Sequence, residues 1–380
     1  MDLRAIEVVG GGPAGLYAAT LLKRACSGAR VRVHERNPEG ATFGFGVVFS
    51  DRALDVLAAD DPGTLALLAP RLERWRDMTL VHRGERVTLD GVGFAAIGRL
   101  ELLRLLAAQA RAAGAELRFG AEAGAVDARD ADLVVGADGV NSLVRASDEA
   151  AFGARLDHFA NRFAWFGTPR PFDTLTQTFV ETPHGALNAH HYRYAPSMST
   201  FIVECDPASF EAHGFGAMDE ARSARACEAI FAETLEGAPL VANRSVWRRF
   251  PRLWCERWAS GNRVLIGDAA HTAHFSIGSG TRLALEDAAA LARAVREGAD
   301  LASALAAFEA ARKPVARRLV DAADISAAWY DRFAEAMAMA PLDFAFDYAT
   351  RSGRVDVDRL RRASPRFAAA WEAAHEGAPS

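Results

Sequence analysis

Apolar residues recur along this chain with two different periods, and the switch between them divides it. Four short runs are rich in β-branched residues: Ala5-Ile6-Glu7-Val8-Val9, Val31-Arg32-Val33-His34, Asp132-Leu133-Val134-Val135 and Arg263-Val264-Leu265-Ile266. They predict strands of a buried sheet. Between about His158 and Phe250 the text changes to alternating and aromatic runs such as Thr176-Gln177-Thr178-Phe179-Val180-Glu181 and Thr200-Phe201-Ile202-Val203-Glu204. These predict an antiparallel sheet, and shorter strands near Met78 to Val81 and Val87 to Leu89 are expected to join it. Helical text runs from Ala14 to Arg24, from Arg99 to Leu106 and, rich in alanine, from Leu283 to Met339; Pro341 then breaks it ahead of a basic stretch from Arg351 to Arg366.

Glycine and acid follow three of the buried runs. The first is followed at once by Gly10-x-Gly12-x-x-Gly15, with Pro13 and Ala14 opening the helix. Gly10 permits a tight turn, Gly12 lets backbone approach a pyrophosphate, and Gly15 lets helix and strand pack closely, while the helix N-terminus offers unpaired N–H groups to an anion. Glu35 ends the second strand about 20 residues on, where a carboxylate accepts hydrogen bonds from ribose hydroxyls; Arg36 follows it. An acid there disfavours a 2′-phosphate, so FAD or NAD suits the site better than NADP. The other two runs end in Gly136-Ala137-Asp138-Gly139 and Gly267-Asp268. Aspartates at strand ends can hold sugar or ribityl hydroxyls; Asp268 is the candidate for the ribityl chain and Asp138 for a structural or nicotinamide-facing role.

After Asp268 the chain reads Ala269-Ala270-His271-Thr272-Ala273-His274-Phe275-Ser276-Ile277-Gly278-Ser279-Gly280-Thr281-Arg282 and enters a helix ending near Gly298. A helix that starts on Gly278, Ser279, Gly280 and Thr281 presents bare N–H groups and a positive dipole end, which would stabilise negative charge on a reduced flavin ring.

Nucleotide-binding text at both ends of the sequence makes the middle an insertion. The expected division is a discontinuous nucleotide-binding domain over 1–75, 95–157 and 256–340, a sheet domain for substrate over 76–94 and 158–255, and a C-terminal segment over 341–380. Half the 380 residues are apolar, enough for a sizeable core, and the net charge of −5 gives no case for nucleic acid. Cys26, Cys205, Cys227 and Cys255 form no C-x-x-C pair, which suits free thiols in a cytoplasmic protein and excludes a disulfide-reductase flavoprotein. No apolar run reaches membrane-spanning length. His271, His274, His190 and His191 lack a carboxylate or thiolate at ligand spacing, so no metal is expected.

The combined motifs resemble FAD-dependent aromatic-ring monooxygenases of group A. General members carry two prolines and a later asparagine where this chain has His274-Phe275 and Thr281-Arg282. The stretches Phe43-Gly44-Phe45-Gly46-Val47-Val48-Phe49-Ser50-Asp51, Phe163 to Thr168, Ser199 to Asp206 and His274 to Thr281 are similar to the salicylyl-CoA 5-hydroxylase and 2-aminobenzoyl-CoA monooxygenase branch, and more distantly to the tryptophan hydroxylase of violacein biosynthesis. The resemblance implies an α/β fold with a Rossmann-like FAD-binding domain, an inserted antiparallel sheet and a C-terminal helical segment. It also implies FAD as cofactor, with NAD(P)H, NADH first, and O2 as co-substrates, and hydroxylation of an activated ring through a flavin hydroperoxide. The substrate would be a small aromatic, an aryl-CoA thioester first, and the protein a monomer or homodimer.

By the same resemblance Arg99 reaches the FAD pyrophosphate, Phe45, Gly46, Val47 and Val48 line the flavin face, and Phe275 stands beside the oxygen-reacting position. His274, His190, Tyr192 and Arg193 are the candidate polar groups facing substrate. The basic tail, Arg351, Arg354, Arg359, Arg361 and Arg362, could meet CoA phosphates or be a solvated helix face. A free indole or phenol remains an alternative substrate, and a flavin-dependent reductase an alternative class. The fusion members of the branch continue into a flavin oxidoreductase domain for which this chain leaves no room.

Overall fold

A computed structural model describes residues 1–121 and 130–375. Residues 122–129, within the expected 95–157 segment, and the last five of 341–380 lie outside the described residues. Among the described residues the strands form three sheets.

The first has six strands in the order Ala259–Ser260, Arg263–Leu265, Leu133–Gly136, Ala5–Val9, Arg30–Glu35 and Glu116–Phe119. Every pair is parallel except the short edge hairpin formed by its first two strands. The central strands are buried along nearly their whole length, so their text is continuously apolar rather than alternating. Because neighbouring strands run the same way, Gly10, Gly136 and Gly267 meet at one edge. Helix Pro13–Ala25 packs over this sheet against helices Gly280–Glu297 and Arg99–Ala113. Its start comes so close to the first strand that a Cβ on Gly15 would collide with the Gly10 carbonyl, and Gly10 turns there with φ +105°.

The second sheet has seven strands, ordered Arg248–Cys255, Ala154–Thr168, Met198–Cys205, Gly185–Ala195, Leu175–Thr182, Met78–His82 and Glu85–Leu89. The early hairpin does join it, as the alternation predicts, but one pair departs from the expected antiparallel arrangement. Leu175–Thr182 runs parallel to Met78–His82. These strands come from separate passes of the chain rather than from a hairpin, so no tight turn forces opposite directions. One face packs Phe166, Leu187, Ala189, Phe201 and Val203 beneath helices Pro207–Ala212 and Glu220–Ile230. The other face looks back toward the first sheet.

A small antiparallel sheet, Gly46–Ser50, Phe94–Gly98 and Glu73–Trp75, connects the two larger ones. Helix Leu301–Tyr330 ends against the inner face of the seven-stranded sheet, where Pro341–Thr350, Val357–Ala363 and Pro365–His375 complete the cover. Pro341 is the first residue of one of these helices rather than only a break, the position at which a missing N–H costs least. No helix among the described residues is long and apolar enough to cross a membrane.

Candidate active site

The glycine edge of the parallel sheet forms a cradle. The helix Pro13–Ala25 has Gly12 at its N-cap and no side chain capping it, and a Cβ on Gly12 would meet nothing within 4 Å. Its first N–H groups therefore face open space, as an approaching phosphate requires. Glu35 is fixed beside the loop: one carboxylate oxygen accepts from the Gly11 amide at 2.8 Å and the other from the Asn37 amide at 2.7 Å. A carboxylate retains lone pairs after two or three such bonds, so ribose hydroxyls can still be received. Arg36 is exposed beside it.

Asp268 sits on the 3-10 turn Gly267–Ala269, and a buried ionic knot under the turn holds it in place. Asp287 accepts from the Gly267 amide at 2.9 Å, lies 2.8 Å from Nε2 of His271 and accepts from Nε of Arg312 at 2.6 Å. Burial alone would raise the Asp287 carboxyl; His271 and Arg312 overcome it and hold it below the usual range. Gly267, at φ +58°, also brings the turn against Ala14, whose Cβ would lie 3.3 Å from an added Cβ.

The Asp268 side chain reaches solvent while protein closely surrounds it, the mark of a deep cleft wall. Burial pushes its carboxyl up, and the charges of His271 and Arg99 pull it back. Arg99 opens its helix with its amide bonded to the Phe45 carbonyl at 2.7 Å; burial lowers its guanidinium pKa and Asp268 opposes that. The two charges feel each other across the cleft without an ion pair. That gap, between an anion suited to hydroxyls and a cation suited to phosphates, fits the extended middle of a dinucleotide such as FAD.

At the far end of the cradle, Gly278 (φ +62°) and Ser279 lead into helix Gly280–Glu297, which again has no side-chain cap. An added Cβ on Gly280 would meet nothing within 4 Å, and one on Gly278 would lie 3.1 Å from Val48. Val48 thus faces the turn, while Val47, expected on the flavin face, points instead into the main core, because successive strand residues alternate sides. Gly46 is held from both sides: its amide donates to Thr200 Oγ1 at 2.9 Å and its carbonyl accepts from the Tyr192 hydroxyl at 2.9 Å. Phe45 fills the space that Gly167 leaves, since a Cβ there would strike its ring.

Beyond this turn lies the inner face of the seven-stranded sheet. Phe163, Glu204 and Asn188 are in register across three strands, as are Gln177, His190 and Ile202, so register and alternation put all six side chains on one face. Phe275 closes over it with ring centroids 5.0 Å from Phe163, 5.2 Å from His190 and 5.7 Å from Phe250. His274 stacks on Phe275 at 4.2 Å and is fully enclosed.

Under these rings the polar groups form one network. Glu204 accepts from Asn161 Nδ2 at 3.0 Å, lies 3.3 Å from His190 Nε2 and 3.9 Å from His274 Nε2. The His274 Nδ1 accepts from the Ser276 amide at 3.3 Å, and the His190 Nδ1 lies 2.8 Å from Gln177 Nε2. Both histidines are therefore assigned the tautomer with hydrogen on Nε2, directed at Glu204. Burial holds His274 at about 4 and His190 at about 3, so both are neutral at pH 7. Burial also pushes the Glu204 carboxyl up, against the pull of His274 and the Asn161 bond.

A family model described as "FAD binding domain" matches residues 3–130 and 124–323. The chain belongs to this FAD-binding family. It is 42% identical to the salicyloyl-CoA 5-hydroxylase of a Streptomyces species over 359 residues, which are 91% of this chain and 69% of that protein. It is 39% identical to the 3-hydroxy-4-methyl-anthranilyl-[aryl-carrier protein] 5-monooxygenase of Streptosporangium sibiricum, over 92% of this chain and 95% of that one. The solved structure of 2-methyl-3-hydroxypyridine-5-carboxylic acid oxygenase superposes with a TM-score of 0.68 at 22% identity, covering 95% of this chain and 96% of that one. The protein is an FAD-dependent aromatic-ring monooxygenase, with NAD(P)H and O2 as co-substrates.

Within this monooxygenase the expected site residues separate into groups. Gly10, Gly12, Gly15, Glu35, Arg99, Gly267, Asp268, Gly278, Ser279 and Gly280 gather around the cradle, and His274, Phe275 and His190 around the inner face. Tyr192 lies on that face with its hydroxyl spent on Gly46. Arg193 points away and pairs with Glu73 at 2.9 Å. Asp138 accepts from the Leu143 and Val144 amides at 2.6 and 3.3 Å, holding a helix start, the structural option. Glu204, Asn161, Asp287 and Arg312 are not singled out by the sequence. The one signal for Glu204 was its phase, since it shares the alternation of Thr200 and Ile202.

Proposed function

We propose that this monooxygenase hydroxylates an ortho-hydroxy or ortho-amino benzoyl thioester, a CoA thioester first, at the ring carbon opposite the activating group, with NADH as the preferred reductant. Two relatives support the substrate class: the names of both specify an aromatic acyl group carried on a thiol, CoA in one and a carrier protein in the other. The carrying observation within the molecule is the aromatic enclosure of Phe163, Phe250 and Phe275 above a buried polar network, a site built to hold a ring away from water.

Bound FAD would supply hydride acceptance and oxygen activation. The residues proposed to hold it are Gly10, Gly12, Pro13, Ala14 and Gly15 at the pyrophosphate and Glu35 with Arg36 at the ribose. Arg99 and Asp268 would hold the middle, and Phe45, Gly46 and Val48 with Gly278 to Thr281 the ring. Phe163, Phe250 and Phe275 keep water out and orient the substrate ring by edge and face contacts. His274, with its Nδ1 taken by Ser276, presents an Nε2–H rather than a free lone pair, so it acts as a positioning donor. Glu204, buried under these rings and favoured by burial for proton uptake, is the candidate proton acceptor.

The test is NADH and NADPH oxidation by the flavin-loaded protein with salicylyl-CoA, 2-aminobenzoyl-CoA, their free acids and tryptophan, with products followed by mass. Stimulation by a thioester with gain of one oxygen is expected. Stimulation by free aromatics alone would discard the thioester.

A further inference from the structure

The inner face of the seven-stranded sheet ends on its outer strand in a cation without an acid. Arg248 is in register with Phe163, which places both side chains on the same face, and its guanidinium carbon lies 5.6 Å from the Phe163 ring centroid. Phe250, two residues further along the strand, shares that face. Phe163 and Phe250 both contact Phe275, so Arg248 stands one ring away from the centre of the aromatic enclosure.

Its neighbours on the strand are engaged. Arg249 donates to the Phe159 and His158 carbonyls at 2.7 Å each, and Arg252 pairs with Asp324 at 2.7 Å. Arg248 has one hydrogen bond, to the Arg244 carbonyl at 3.3 Å, and no ion pair among the described residues. Burial alone lowers its pKa; no carboxylate acts on it, although the side chain still reaches solvent. An exposed arginine that lies against an aromatic ring, with one long side-chain hydrogen bond and no acid partner, has donors to spare for a ligand.

The segment leading into it is tied down by side-chain contacts. Arg244 holds a left-handed backbone, φ +55°, with its guanidinium 4.2 Å over the Phe43 ring. Asn243 donates to the Thr42 and Gly44 carbonyls at 3.2 and 3.1 Å. This ties the Arg248 strand to the loop that enters Gly46–Ser50, the strand against the Gly278 turn. A non-glycine residue kept at positive φ by such ties is a recurrent feature of functional sites.

We propose that Arg248 is a specificity-determining residue that donates to the oxygen of the acyl group on the substrate ring, whether thioester carbonyl or carboxylate. This rests on the aromatic substrate proposed above. Anchoring the acyl group at one edge of the enclosure turns the opposite edge of the ring toward the flavin turn at Gly278, and so selects the carbon that is oxidised. The phosphates of a CoA arm lie too far from the ring to be what this residue reads.

The experiment is titration of oxidised, flavin-loaded protein with salicylyl-CoA and with salicylate, followed by flavin absorbance, for wild type, Arg248→Ala and Arg248→Lys, together with steady-state kinetics. Arg248→Ala should keep its flavin and its KM for NADH while aryl Kd rises about 10- to 100-fold, the loss expected for a charge-assisted hydrogen bond. Arg248→Lys should recover part of the affinity. The carboxylate should lose more than the thioester, because it alone can use both prongs of the guanidinium. Unchanged aryl Kd in Arg248→Ala overturns the proposal, as does a raised KM for NADH with aryl binding intact. If wild type binds neither ligand, the substrate reading fails; if it binds and Arg248→Ala binds equally well, only the arginine assignment fails.

Discussion

The two large sheets handle charge in opposite ways. Along the glycine edge of the parallel sheet, Asp268 and Arg99 stand in an open cleft, facing each other without an ion pair, while the ionic knot of Asp287, His271 and Arg312 is hidden beneath the turn that presents them. On the inner face of the seven-stranded sheet, Glu204, His190 and His274 are themselves the functional candidates and are sealed under aromatic rings. The first region separates groups that present a ligand from groups that support the backbone. The second has both tasks performed by the same buried network, so a change there should alter chemistry and stability together.

The largest effect expected is on the hidden knot. Asp287→Ala removes one of the two acids on buried Arg312, leaving Glu286 at 2.7 Å, strips His271 of its partner and frees the Gly267 amide; breaking a buried ion pair outright costs about 3–5 kcal/mol, and the retained Glu286 sets the loss toward the lower end. The urea midpoint should fall sharply and flavin should be lost with it. A variant with wild-type stability would show that the knot does not carry the turn. Asp268→Ala should instead leave stability nearly unchanged and weaken FAD by about 10- to 100-fold, the worth of hydrogen bonds to a charged group. Stoichiometric yellow flavin retained through gel filtration would remove Asp268 from the cofactor site. The contrast between the two variants is the test of the separation.

The buried histidines predict a pH dependence on the second sheet. Folding depresses His274 from 6.5 to about 4 and His190 to about 3, so between pH 6.5 and 4 the unfolded chain binds protons that the folded chain refuses. Their stability is present above pH 6.5 and is lost as pH falls through that window, at up to about 1.4 kcal/mol per pH unit for each histidine. Glu204, raised by burial, acts in the other direction, losing stability as pH rises through its pKa. His274→Ala should flatten the acid slope by one histidine's share. It should also keep FAD while lowering the fraction of NADH oxidation that yields product. An unchanged slope would mean that His274 is protonated in the folded protein, and unchanged coupling would remove it from the site.

The difference between the sheets also governed what could be read from the chain. Gly10, Gly15 and Gly267 answer to backbone demands within a few residues, a tight turn or a helix touching a strand, so they were legible locally. The parallel strands were legible because burial on both faces makes their text continuous. Glu204 and Asn161 acquire their meaning from pairing between strands more than 40 residues apart, and Asp287 from a helix crossing under a turn 20 residues earlier. No local spacing encodes those meetings. The parallel pair between Leu175–Thr182 and Met78–His82 was missed for the same reason, since only the crossing of the chain fixes its direction.

Arg193 is where local reading and register diverge, and it carries the smallest expected effect. The run His190, Tyr192, Arg193 reads as one motif, but a strand sends successive side chains to opposite faces, so Arg193 cannot share the face of His190 and Tyr192. Its guanidinium pairs with Glu73 at 2.9 Å, with both side chains partly open to water, an arrangement worth about 0–1 kcal/mol. Arg193→Ala should therefore shift the urea midpoint slightly and leave aryl Kd, KM for NADH and coupling within about twofold of wild type, a limit of roughly 0.4 kcal/mol. Tyr192→Phe, one residue away but tied to the Gly46 carbonyl, should disturb the flavin-side strand more. If Arg193→Ala instead impaired coupling as His274→Ala is expected to, the inner face would have to extend around the edge of the sheet, and the division drawn here between an anchoring Arg248 and a structural Arg193 would fall.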